Sequence, residues 1–113
     1  MDVLDKRSGD VDLLYLNGRL DTYAASEVEK KMIPLAGKTQ ARLAVSLKNV
    51  EYISSSGLRV LLTAVKKARE QKGDVRFFGV QPFVKDVFEL SGFFRLFKIF
   101  DTEEEAIASF QGT

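Results

Sequence analysis

An apolar run that ends in three hydroxyls restricts this chain more than any other feature. Residues Leu43 to Ile53 form an extended, largely apolar segment, and Ser54-Ser55-Ser56-Gly57 follows it directly. Beyond the glycine, Leu58, Leu61, Leu62 and Val65 recur at the spacing that places them on one face of a helix. The stretch that leads into the run, Ala41 to Leu47 (ARLAVSL), is largely apolar, so the strand it predicts is buried on both faces. A doubly buried strand that passes straight into a helix calls for a partly parallel sheet covered by helices.

The rest of the chain reads consistently with that unit. Val3 to Lys6 is predicted as a short first strand and Ser8-Gly9-Asp10 as a turn. Val11 to Leu16 is a second strand, which the turn dipeptide Asn17-Gly18 is expected to end. Ala24, Val28, Met32 and Leu35 share a face, so Tyr23 to Leu35 is predicted helical. Asp21 or Thr22 would cap it, and Pro34-Leu35-Ala36-Gly37 marks its end. The helix after the serines is predicted over about Ser56 to Lys72, with Gly73-Asp74 as the stop and Gly73 as its C′ residue. Val75 to Val80 is the next strand, and Gln81-Pro82 opens a helix to about Leu90 that Ser91-Gly92 breaks. Phe97 to Phe100 is a short last strand. Thr102 caps a final helix to Phe110, with Glu105 completing a capping box. The expected architecture is a single α/β domain over residues 1–113. It has a small mixed, largely parallel sheet of four to five strands and about four helices, with no linker or internal repeat.

Composition narrows function by exclusion. With 113 residues, 45% hydrophobic and 29% charged, the chain can bury an ordinary globular core. No apolar run approaches the ~20 residues that span a bilayer, so membrane insertion is not expected. Met1 to Arg7 alternates acidic and basic residues without a signal-peptide core, so a cytoplasmic location is expected. Zero cysteines remove disulfides, thiolate catalysis and cysteine metal sites, and zero histidines remove the usual general base. No cofactor is implied. A net charge of +1 provides no global field for nucleic acid. Most enzyme classes are disfavoured, and a binding module is the natural alternative.

A serine at a strand-to-helix junction can do one of two things. Its oxygen can accept a free backbone N–H of the first turn as a cap, or it can carry a phosphate that those N–H groups and the helix dipole favour. The run is neither G-x-S-x-G nor a phosphate-cradling G-x-x-x-x-G-K-[ST] loop. Without histidine, a Ser-based hydrolase or transferase would need a lysine or carboxylate base, and a Ser-Lys enzyme is the remote alternative. In the same helix, Lys66, Lys67, Arg69 and Lys72 complement the negative C-terminal end. Arg59 does not, because it stands in the first turn, where a nearby phosphate or a partner's acidic residue would account for it. All nine phenylalanines fall between Phe77 and Phe110, which points to a dense C-terminal core. Phe93 and Phe94 cannot both face inward, so one is expected to be exposed as a contact point. Glu103-Glu104-Glu105 reads as a first-turn complement to the final helix rather than a metal site.

The run Leu47-Lys48-Asn49-Val50-Glu51-Tyr52-Ile53-Ser54-Ser55-Ser56-Gly57-Leu58 resembles the signature of STAS-domain proteins, in particular the bacterial anti-sigma factor antagonists. Gly18-Arg19-Leu20-Asp21 is similar to that family's G-x-L-D turn. Leu90-Ser91-Gly92-Phe93, Phe97-Lys98-Ile99-Phe100 and Glu103 to Ala106 are similar to its C-terminal pattern, in order and spacing. The resemblance covers essentially the whole chain. It implies a phosphoacceptor at Ser56, the hydroxyl directly before the glycine. It also implies an anti-sigma factor, often itself the serine kinase, as partner, with release on phosphorylation and a phosphatase that restores binding. The partner surface it implies comprises Asp21, Thr22, Tyr23, Ser54, Ser55, Gly57, Leu58 and Arg59. The family usually carries an acid where Ser54 stands and often another where Ser46 stands. Losing the acid at 54 removes a negative charge beside any phosphate, and makes Ser54 and Ser55 secondary candidate acceptors. The alternative within the same fold is a scaffold or transport-associated regulatory domain whose serine is never phosphorylated.

Overall fold

The computed structural model describes residues 1–111 and places five strands in one sheet, in the sequential order β1 (Asp2–Ser8), β2 (Val11–Leu20), β3 (Arg42–Ile53), β4 (Asp74–Phe78) and β5 (Lys98–Phe100). β1 and β2 pair antiparallel through the Gly9-Asp10 turn, where Gly9 adopts φ 61. Every other neighbouring pair is parallel, as strand–helix–strand units produce. The crossovers are helices α1 (Thr22–Ala36), α2 (Ser55–Glu70) and α3 (Pro82–Ser91), the last followed by a 3-10 turn over Phe93–Arg95. Helix α4 (Glu103–Ser109) closes the chain. The expected mixed sheet with four α-helices is therefore what forms.

Side-chain alternation along the strands explains two cores. Leu14 and Leu16, Leu43, Val45 and Leu47, and Val75 and Phe77 face α1, α2 and α3 in the main cluster. Val11, Leu13, Ala44 and Phe78 face the opposite way and are covered by Ala106 and Phe110. Leu43 to Leu47 are all buried, as a central strand with helices on both faces must be. In the main core Phe77, Phe88 and Phe97 pack with centroids 4.9 to 6.3 Å apart. Phe93 joins them half-buried, and Phe94 is the exposed member of its pair.

Several boundaries differ from the sequence reading. β2 does not end at Asn17-Gly18 but runs on to Leu20, with shifts in its register against β3 at Tyr15/Asn17 and Gly18/Arg19. Gly18 takes φ 122 and Asn17 accepts from Asn49 across the strands at 2.8 Å, so the dipeptide is a bulge inside a pairing strand. Pairing along the whole of β3, which extends to Ile53, overrides the local turn preference. α1 runs one residue further at each end than expected, with Pro34 inside its last turn, and Leu35 is only half-buried. α2 ends at Glu70, and the left-handed residue after it is Lys72 (φ 65), not Gly73. Gly73 is needed for a different reason. A Cβ there would stand 2.3 Å from the Ala41 nitrogen and 2.4 Å from its carbonyl oxygen.

At that same N-terminal edge of the sheet, buried Asp74 gathers two arginines. Its Oδ1 accepts from Arg69 Nε at 3.0 Å and its Oδ2 from Arg76 Nε at 3.1 Å. Arg69 reaches on to the Leu96 carbonyl and Arg76 to Ser109 of α4, so one carboxylate ties both helical layers to β4. On the back face, Tyr15 donates to Glu103. Burial, and then this carboxylate, push its phenol up to about 12 and keep it a neutral donor at ordinary pH.

Candidate functional site

The opposite, C-terminal edge of the parallel strands brings the candidate residues together. Leu20 and Ile53 are partners in the β2–β3 register, and the Ser54 N–H donates to the Leu20 carbonyl at 2.8 Å. The starts of α1 and α2 therefore lie side by side. Each is capped by the residue that leaves its strand. Asp21 Oδ1 accepts from the Ala24 N–H at 2.9 Å, and Ser54 Oγ accepts from the Gly57 N–H at 3.1 Å. Of the two caps considered for α1, Asp21 is the one used. Of the serines, Ser54 does the capping.

That assignment separates the three hydroxyls. Ser55 and Ser56 enter no side-chain hydrogen bond among the described residues. Ser55 points to solvent. Ser56 is half-buried and opens into a groove of about 250 Å³ between α1 and α2. Thr22, Ser26 and Glu29 line the groove from α1, and Arg59 and Thr63 line it from α2. Tyr23, next to Thr22 in the first turn of α1, is 88% exposed.

Gly57 and Leu58 belong to this edge but not to its accessible surface. Both are buried in the free chain, so they support the junction rather than display it. A Cβ on Gly57 would meet Leu20 Cγ at 2.6 Å and the Leu20 carbonyl oxygen at 2.9 Å. Here the glycine serves a close approach, since only its lack of a side chain lets the first turn of α2 dock on the end of β2. Gly57→Ala should therefore lower stability by about 1–3 kcal/mol, as overpacking does. Chemical denaturation at constant m-value checks this, and an unchanged midpoint would contradict it.

Sequence reasoning missed two parts of the edge. Ser26 and Glu29 complete the groove. With Thr22 they recur at i, i+4 and i+7, a polar stripe legible on the face of α1 beside the apolar one. The other is a stack in which the Arg19 guanidinium lies 4.3 Å over the Tyr52 ring, and Tyr52 stacks on Phe83 with centroids 6.3 Å apart. Its members come from three separate segments, and no local spacing announces it. Among the described residues no group of His, Cys, Asp or Glu could hold a metal ion. None of their helices is long and apolar enough to cross a membrane.

A mixed five-stranded sheet whose two adjacent capped helix starts present a hydroxyl run defines a known class of small domain. The family model of the STAS domain matches residues 3–106, and the chain belongs to that family. BtrV of Bordetella bronchiseptica, provisionally named an anti-sigma factor antagonist, is 33% identical over 96 residues, which cover 85% of this chain and 83% of that protein. A crystal structure of a provisionally named anti-sigma factor antagonist from Thermotoga maritima superposes with a TM-score of 0.90 at 25% identity, covering 96% of this chain and 94% of that one. The unphosphorylated anti-sigma factor antagonist SpoIIAA shares the fold with a TM-score of 0.81 at 23% identity, covering 99% of this chain and 98% of its own.

Proposed function

We propose that this chain is an anti-sigma factor antagonist that binds an anti-sigma factor acting also as a serine kinase, and that phosphorylation of Ser56 breaks the complex. The observation that carries the reading is the division of labour among the serines. Ser54 is committed to capping α2, while Ser56 keeps an uncommitted hydroxyl, half-exposed, beside the exposed residues Thr22, Tyr23, Ser55 and Arg59. Removing the cap would loosen the helix, whereas modifying Ser56 leaves every hydrogen bond of the junction in place. The names of the relatives supply the partner class. The protein acts in the cytoplasm as a binding module and not as an enzyme, and a phosphatase resets it.

The acceptor is tested on protein recovered from its native cell. Peptide mapping by mass spectrometry should find phosphate on Ser56. Absence of phosphate from residues 54–56 under every growth condition would instead favour the unmodified scaffold. Phosphate confined to Ser54 or Ser55 would contradict the assignment of the acceptor.

A further inference from the structure

Arg59 is a cation without a partner. It is exposed at the start of the second turn of α2, one turn on from Ser56, and it enters no ion pair or hydrogen bond among the described residues. It nevertheless lines the same groove as Ser56. Helix positions three apart are surface neighbours, with Cβ atoms about 5–6 Å from each other. A guanidinium there can reach the oxygens of a phosphate on Ser56 with two parallel N–H donors. The hydroxyls of Thr22, Ser26 and Thr63 surround the same space and can donate to the remaining oxygens. Glu29, on the α1 wall, is the acidic group of the groove; it does not pair with Arg59 and would oppose the phosphate.

Resting on the proposed switch at Ser56, we propose that its phosphate is gripped by Arg59 within the α1–α2 groove. Phosphorylation then acts twice on the contact surface. It adds negative charge, and it withdraws the one cation that the N-terminal half-dozen residues of α2 offer to an acidic partner. The serine and its receptor lie on one rigid helix, so the capture needs no rearrangement of the fold.

The test uses the full chain with phosphoserine placed at position 56 by codon suppression, so that no kinase is required. The second ionisation of phosphoserine lies near pH ~6 and is followed by phosphorus NMR across a pH titration. A nearby guanidinium stabilises the dianion, so the wild-type midpoint should lie lower than that of Arg59→Gln by about 0.5 or more. Glu29→Gln should shift it lower still, because it removes the opposing charge. Coincident titrations of wild type and Arg59→Gln would overturn the proposal. Arg59 is exposed and makes no contact the fold depends on, so equal unfolding temperatures of the unmodified chains will show that the comparison is of folded proteins. The titration involves no partner, so its outcome is independent of whether phosphorylation releases one.

Discussion

Ser56→Glu is expected to lower the affinity for the anti-sigma factor that the wild type binds by about 100-fold or more. The unfolding temperature should stay close to that of the wild type. The Ser56 side chain is half-exposed and makes no hydrogen bond among the described residues, so its replacement breaks nothing within the chain. A carboxylate in the first turn of α2 gains on the order of 0.3–1 kcal/mol from the helix dipole, which repulsion from Glu29 across the groove partly offsets. In a partner interface the same charge must be desolvated, or must face acidic groups recruited by Arg59, and that costs several kcal/mol. Ser56→Ala should keep wild-type affinity while resisting phosphorylation. Calorimetric titration and thermal melts of the three chains check the pair of expectations. Equal affinities of Ser56→Glu and wild type would contradict the site, and a large fall in unfolding temperature would contradict the separation of switch from fold.

Asp74→Ala is the substitution with the largest expected effect on stability, a loss of about 3–5 kcal/mol. The carboxylate is 8% exposed and is shared by Arg69 and Arg76, whose side chains are 39% and 11% exposed. It also accepts from its neighbour's N–H, on Val75, at 3.0 Å. Without it the Arg76 guanidinium stays buried beside the Phe110 ring, with the two oxygens of Ser109 as its acceptors. An uncompensated buried cation is the main penalty, and the weakened links from β4 to α2 and α4 add to it. Such a loss is a large share of a small domain's total stability, so Asp74→Asn provides the graded comparison. It keeps a neutral acceptor and should lose clearly less than Asp74→Ala in denaturant unfolding. A loss under about 1 kcal/mol for Asp74→Ala would contradict the account of this network. Asp74 stands at the opposite end of the parallel strands from Ser56, so the folded fraction of either variant should bind the partner normally.

What could be read from the residues alone follows from the range of the forces involved. Caps are local, and Asp21, Ser54 and Thr102 all stand where capping chemistry would place them, within three residues of the N–H they accept. The doubly buried β3 was legible because its apolar content leaves no solvent face. Asn17-Gly18 misled because a turn dipeptide and a bulge use the same backbone freedom, and only pairing with β3 decides between them. Gly57 and Gly73 look like punctuation in the sequence. Their necessity comes from Leu20 and Ala41, which lie far along the chain, so no local rule exposes it. The same limit hid the Arg19–Tyr52–Phe83 stack, in which the register of β2 on β3 brings Arg19 to Tyr52 and α3 adds Phe83. At the candidate site the hydroxyl run was plain. The groove that distinguishes Ser56 from Ser55 exists only once α1 and α2 are packed together.

One measurement bears on the central claim most directly. The dissociation constant of the anti-sigma factor complex is determined for a single preparation of the wild-type chain unmodified, phosphorylated at Ser56, and again after enzymatic removal of the phosphate. The account predicts tight binding, a weakening of about 100-fold or more, and full recovery. Equal affinity in the three states would contradict it.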